Sequence, residues 1–351
     1  MATATIEKIK KVKRPRIAST AALLDFLEIT KADIHARAAD MGVEDVRYMV
    51  DSYYDVQASR KAAANREGAI ERAAIAASKN IETVHVAQWV VDVLQKVEEA
   101  IKKHLDAWTK ADELSRETRK QKGIDTIIAA GLRAHVDFNI AVNVSKVWRF
   151  GGYDPTLKWL GKDGARQLVD EVLPKRSRVD IETVSRVALK AGRKPENVLS
   201  LVRRSGDLNR KNLISALARR PWNADLKLLF YKIGDSFVKR SNDPMCPYGT
   251  YYKVEKAKLV RKNEAGEFSE LANSRVESVG KSTKARKAFE TGRLPDDQID
   301  KRARRLAVKL FIAHWWSLGY ELHHKKPAPE PWCVAHAGHT GLIRREDYWI
   351  T

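Results

Sequence analysis

Gly123-Ile124-Asp125-Thr126-Ile127-Ile128-Ala129-Ala130-Gly131-Leu132 is the stretch on which the reading of this chain turns. A glycine stands just ahead of a run of small and apolar residues, the pattern of a tight turn opening a buried helix. Such a turn aims backbone N–H groups at the helix N-terminus, where an anion can bind. The pattern is that of a helix-hairpin-helix. Its usual turn is glycine, a hydrophobic residue and glycine, but here the third position is Asp125, which puts a carboxylate where a phosphate would come. Downstream, Val147-Trp148-Arg149-Phe150-Gly151-Gly152-Tyr153-Asp154-Pro155 forms an aromatic run closed by a glycine pair and Asp-Pro.

Toward the N-terminus, the clearest helix covers 81–120. Val86, Val90, Val93, Val97, Ile101, Leu105 and Trp108 recur every three or four residues and define one apolar stripe. Gly42 ends a short helix over 19–40. Val43, Val46, Val50 and Tyr53 then begin a long helix running toward 79. Two long, narrow-striped helices predict an antiparallel helical hairpin or coiled coil over 18–120. The stripe could pack within the chain or against a second copy, so a homodimer through the long helices is one expectation. Residues 1–17 carry Lys8, Lys10, Lys11, Lys13, Arg14 and Arg16 against Glu7 alone. They read as a basic flexible arm, either tracking phosphates or solubilising the chain.

Toward the C-terminus, Lys175 to Arg220 holds thirteen Lys/Arg against four Asp/Glu, for which a merely solvated charged face is a weaker explanation than for a single basic pair. Short amphipathic patterns at Ile181–Ala188, Val198–Val202 and Asn212–Leu217 make 160–219 a small basic helical insert. Pro221-Trp222-Asn223 opens a helix through Leu226, Leu229, Phe230, Ile233 and Phe237, and Asn242-Asp243-Pro244 ends it. Pro295-Asp296-Asp297 opens another, to about 323. It places Arg302, Arg304, Arg305 and Lys309 on one side and Leu306, Leu310, Ala313, Trp316 and Leu318 largely on the other. The tail after Pro327 reads as irregular. No strand alternation or repeat interrupts this, so the fold class is mainly α. The expected regions are 1–17, 18–120, 121–245 with the insert, and a C-terminal helical region over 246–351.

The 351 residues carry a net charge of +20 and a sequence pI near 9.8. That balance points to nucleic acid ahead of an anionic membrane surface. Two cysteines, Cys246 and Cys333, make no disulfide framework. No apolar segment follows the basic N-terminus, and the most apolar helix, Leu306–Tyr320, is too short to cross a bilayer. The expectation is a cytoplasmic protein, nucleoid-associated if it binds DNA, with no membrane and no small-molecule substrate.

Arg203, Arg204, Arg219, Arg220, Arg302, Arg304 and Arg305 are the best phosphate ligands by clustering. The tryptophans interleave with basic residues, and such rings can stack on unpaired bases. Of these, Trp316 reads as core, while Trp159 fits either role. Cys333, His336 and His339 have a spacing that could hold Zn²⁺, given a fourth ligand from elsewhere. Glu321-Leu322-His323-His324 has the opening residues of an HNH nuclease but lacks the Asn that fold needs, since no Asn follows Asn273. Asp51, Asp55, Asp92, Asp106 and Asp112 read as surface charges on helix faces.

With those residues in place, the stretch 40–240 resembles the C-terminal transposase domain of the DEDD-type, bridge-RNA-guided insertion-sequence transposases. Gly123-Ile124-Asp125 falls on that family's hairpin turn, Phe150–Pro155 on its aromatic–Gly–X–Asp/Thr-Pro motif, and Asn223, Leu226 and Lys227 on its third motif. The basic insert is extra to the family pattern. The resemblance implies a DNA-binding scaffold of mobile-element or phage type, with phosphate contacts at Lys122, Gly123, Ile124, Arg149, Asn223 and Lys227. Two departures concern chemistry. No strand carries the carboxylates of a RuvC-like catalytic domain, and Leu160-Gly161 stands where the family has its Ser-Gly nucleophile. The leading expectation is therefore nucleic-acid binding, DNA ahead of RNA, without catalysis. The alternatives are an active transposase or recombinase, and a structural or interaction protein of a phage or mobile element.

Overall fold

The structure, a computed structural model, describes residues 36–76, 82–154, 156, 158–174, 177–336 and 341–350. The expected basic arm lies outside them; of the first helix expected over 19–40 only residues 36–40 are described, and Ala38–Asp40 form a 3-10 turn. Every regular element among the described residues is helical, so the fold is mainly α. No helix among them is long and apolar enough to cross a membrane. The chain divides into two compact units: Tyr53–Trp108 with the segment up to Gly42, and Val43–Ser52 with Thr109–Thr351.

In the first unit, helix α1 (Val43–Ala76, its first ten residues belonging to the second unit) is followed by α2 (Glu82–Ala111). Trp108 Nε1 donates to the Met41 carbonyl at 2.9 Å, and Glu98 accepts from Gln57 at 3.0 Å and Arg60 at 2.6 Å. The apolar stripe read from sequence is split. Its lower part, Leu105 and Trp108, is buried, but Val86, Val93 and Val97 are exposed, Val86 by 60%. The inward positions are Val91, Leu94, Glu98, Ile101, Leu105 and Trp108, again three and four apart. The physical reason is Glu98. Burial pushes its carboxyl up, but hydrogen bonds from Arg60, Gln57 and Tyr53 hold it below its usual range. An ion pair thus occupies a position in the inward seam that a hydrophobic pattern assigns to solvent.

In the second unit, α3 (Glu113–Lys120) and α4 (Thr126–His135) flank the Gly123 turn and pack on each other. Asp112 caps α3 through the Ser115 N–H, 2.8 Å, and also lies 3.4 Å from Arg133. Helix α5 (Val144–Phe150) leads into the insert, α6 (Gly161–Val172), α7 (Ile181–Lys190), α8 (Pro195–Arg204) and α9 (Arg210–Ala218). The insert has a core of its own, built from Ala165, Val169, Val184, Val187, Val198, Val202, Leu213 and Leu217. Helix α6 was not singled out by the sequence reading, although Ala165, Leu168, Val169 and Val172 share a helical face.

Helix α10 (Ala224–Lys239) is the spine of the unit. Leu226, Leu229, Phe230, Ile233 and Phe237 are fully buried, and α4, α11 (Pro247–Glu264) and the later α14 (Asp296–His324) pack around it. Two short helices, α12 (Ser269–Asn273) and α13 (Lys284–Glu290), precede α14 (Asp296–His324), and α15 (Trp332–Ala335) follows. On α14 the apolar side is rotated from expectation. Ala307, Val308, Phe311, Ile312, Trp315 and Trp316 are buried, whereas Leu306 is exposed. Aromatic packing decides this: Phe311 meets Phe237 and Tyr248 edge-on, centroids 5.5 and 5.2 Å apart. Trp316 is core, its Nε1 donating to the Ala141 carbonyl at 2.7 Å.

Candidate nucleic-acid interface

The three motifs read from sequence all meet α10. At its N-terminal end, Asn223 is the N-cap and accepts the Leu226 N–H at 2.7 Å, a contact of about 1 kcal/mol. Its own N–H donates to the Phe150 carbonyl at 2.8 Å, which joins the second motif to the third. The glycine pair permits this approach. A Cβ on Gly151 would lie 2.2 Å from Phe230 Cε2, and one on Gly152 would lie 2.9 Å from Trp222 Cγ and 3.1 Å from Lys227 Cδ. Tyr153 then packs edge-on against Phe230, centroids 4.9 Å apart.

Around this junction, cations sit over aromatic rings. Lys309 Nζ lies 4.3 Å from the Trp148 centroid, and Trp148 Nε1 donates to the Lys309 carbonyl at 3.3 Å. Lys227 Nζ lies 3.8 Å from the Trp222 ring, Arg305 5.9 Å from the Tyr153 ring and Arg220 5.1 Å from the half-exposed Trp159 ring. Each such pair contributes about 0.5–1 kcal/mol at an exposed position. They also hold the cations in place on rigid rings.

The electrostatics are those of crowded positive charge. Burial, then the charges of Arg305 and Arg220, push the Lys227 ammonium below its usual range. Burial pushes the Tyr153 phenol up to about 12, against the pull of Arg305 and Arg304, so it stays a neutral hydrogen-bond donor. Asp154 is the local counter-charge. Burial raises its carboxyl, but the hydroxyl and N–H of Thr156, at 2.7 and 2.9 Å, outweigh this together with the Arg149 and Lys309 charges. Arg149 Nη1 lies 3.7 Å from it.

Of the residues expected from sequence, Arg149, Arg220, Asn223, Lys227, Arg304 and Arg305 gather here. Arg304 is the most engaged, paired with Asp300 at 2.5 Å and Asp235 at 3.6 Å. Arg302 lies over Phe268, 5.1 Å from its centroid, on the side of α14 toward Arg275. Arg203 and Arg204 sit exposed on α8 in the insert, and the Arg219 carbonyl accepts from Arg193. Lys122, Gly123 and Ile124 lie at the other end of α10, against Ser236 and Phe237. Lys309 is the residue the sequence reading did not assign. Its signal was the spacing of four from Arg305, one helical turn along the same face.

Two places bear on metal. The side chains of Cys333 and His339 lie outside the described residues. Within them, Asp51 of α1, His135 of α4 and Asp225 of α10 bring one potential ligand atom each within 4.8 Å of one another. The His135 Nδ1 is 2.8 Å from the Gly131 carbonyl. These residues are far apart in sequence, and no spacing rule would have joined them. No known protein family, curated protein or solved structure matches this chain.

Proposed function

We infer that this chain binds nucleic acid through the surface where α5, α10 and α14 meet. The observation that carries this reading is the convergence of four cation–aromatic pairs from separate stretches of sequence onto one junction. Phosphates neutralise the crowded Lys227, Arg305 and Arg220 charges, and the rings of Trp159, Trp222 and Trp148 offer faces on which unpaired bases stack. The net charge of +20 supplies the long-range attraction. DNA is the favoured ligand, on the resemblance to transposase scaffolds. Self-association belongs to the same reading. Val86, Val93 and Val97 leave an exposed seam on α2 with coiled-coil spacing, which a second copy would cover.

The test is the affinity of the full chain for labelled duplex DNA, single-stranded DNA and structured RNA across a salt series with Mg²⁺, products being checked on a denaturing gel. Binding is expected to fall steeply with salt and leave the strands intact. The double variant Lys227→Glu, Arg305→Glu is expected to flatten the slope by about two phosphate contacts, roughly 1.8 in log K against log salt for duplex DNA. An unchanged slope removes this junction from the interface. Cleaved or covalently trapped strands would establish strand-transfer chemistry instead.

A further inference from the structure

We propose that α7 and α8 of the insert form a helix-turn-helix and that α8 reads base edges in the major groove of duplex DNA. This deepens the nucleic-acid reading above and rests on it, but it uses residues away from the α5–α10–α14 junction.

The topology comes first. Helices α7 and α8 are joined by four residues, Ala191 to Lys194, and pack on each other, with α9 packed on α8 and α6 on α7. Gly192 has φ +66°, and the N–H groups of Gly192 and Arg193 donate back to the Leu189 and Ala188 carbonyls, both at 2.9 Å. That is a helix end closed by a left-handed glycine. Pro195 then starts α8 at its first turn. Ala188, fully buried, shares the core of the insert with Val187 of its own helix and with Val198 and Val202 of α8. A short glycine turn between two helices held by such a core is the helix-turn-helix arrangement.

The second helix is equipped to read. Its buried side is Val198 and Val202; the opposite side presents Asn197, Ser200 and Arg204, at i, i+3 and i+7. All three are exposed, and among the described residues no hydrogen bond or ion pair engages their side chains. An Asn amide matches adenine N6 and N7, an Arg guanidinium matches guanine O6 and N7, and a Ser hydroxyl serves either. Arg203 and Lys194 flank that face and can hold the phosphates on either side of the groove. The groove decides the ligand. The B-DNA major groove, about 12 Å wide, admits a helix, whereas that of A-form RNA is too deep and narrow for side chains to read.

The experiment is selection of bound duplexes from a random-sequence DNA library by the full chain, by Asn197→Ala and by the junction variant Lys227→Glu, Arg305→Glu. Far-UV circular dichroism checks that each variant is folded. The wild type is expected to enrich a short motif, and the junction variant, weakened by its lost phosphate contacts, to enrich the same bases among the duplexes it retains. In Asn197→Ala the preference at one base position is expected to fall about 5- to 150-fold, as loss of one bidentate contact implies, with affinity for unrelated duplex nearly unchanged. Duplex binding with no enriched motif, or a motif unaltered by Asn197→Ala, overturns the helix-turn-helix proposal and leaves the junction reading standing. Binding confined to single strands or RNA overturns the major-groove proposal alone. Absence of binding to any nucleic acid overturns both.

Discussion

The glycine turns at 123 and 192 each join two helices, and their surroundings are opposite. Both glycines have positive φ, +94° and +66°. At Gly123 a Cβ would lie 2.8 Å from Ser236 Oγ; at Gly192 it would meet nothing within 4 Å. Ser236 Oγ donates to the Gly123 carbonyl at 2.6 Å, Cys246 Sγ donates to the Lys122 carbonyl at 3.3 Å, and Ile124 is buried. The helix N-terminus after Gly123 is closed by its own residue, since Asp125 accepts the Ile128 N–H at 2.9 Å. After Gly192 the chain enters α8 with its polar face open to solvent. A turn signature therefore states a conformation, while accessibility is set by what packs on the turn.

The widest gap between the turns should appear in stability. Gly123→Ala is expected to cost about 3 kcal/mol, from left-handed strain and displacement of Ser236, against about 1 kcal/mol of strain alone for Gly192→Ala. Urea midpoints measure both, and equal costs would break the comparison. A smaller effect separates capping from charge at the first turn. Asp125→Ala should lose about 1 kcal/mol, whereas Asp125→Asn, which keeps the cap and removes the carboxylate, should stay within a few tenths. If Asp125→Asn also tightened duplex DNA binding, the Gly123 turn would rejoin the interface. The smallest effect lies at α7. Asp180 caps it through the Thr183 N–H at 2.7 Å, and that bond together with the Thr183 hydroxyl holds the carboxyl below its ordinary 3.8. A depressed folded value means the cap's contribution is complete above the unfolded value and fades as pH falls through the folded one. The Thr183 amide proton should therefore titrate with a midpoint below 3.8 by NMR; a midpoint at or above it would show that the cap is open.

Much of the fold was legible because local rules were obeyed locally. The caps at Asp125, Asp180, Asn209 and Asn223 each accept a backbone N–H where a helix was expected to start or close to it, whereas Asp112 caps a new helix inside the stretch read as one helix over 81–120, and Asn143 caps one that was not expected. The three insert helices singled out from their apolar spacing are α7, α8 and α9. The faces were harder. On α2 the inward seam includes Glu98, which a hydrophobicity pattern assigns to solvent, and on α14 edge-on aromatic contacts chose a different side from the leucines. Periodicity finds a helix but does not choose between adjacent apolar stripes, because that choice depends on partners distant in sequence.

The candidate site divides in the same way. Arg220 and Arg305 stood out by clustering of basic residues, and Arg149 and Lys227 by their place in the motifs of the resemblance. What placed them together was the glycine pair at 151 and 152, whose missing side chains let α5 close on Phe230 and Trp222. By itself the sequence determined the helical class, the excess of positive charge and several helix starts, since these follow from composition, capping and short-range spacing. Tertiary structure alone decided which turn is buried, which face of each helix is exposed and that Asp51, His135 and Asp225 meet, because each depends on contacts between residues that only packing brings within reach.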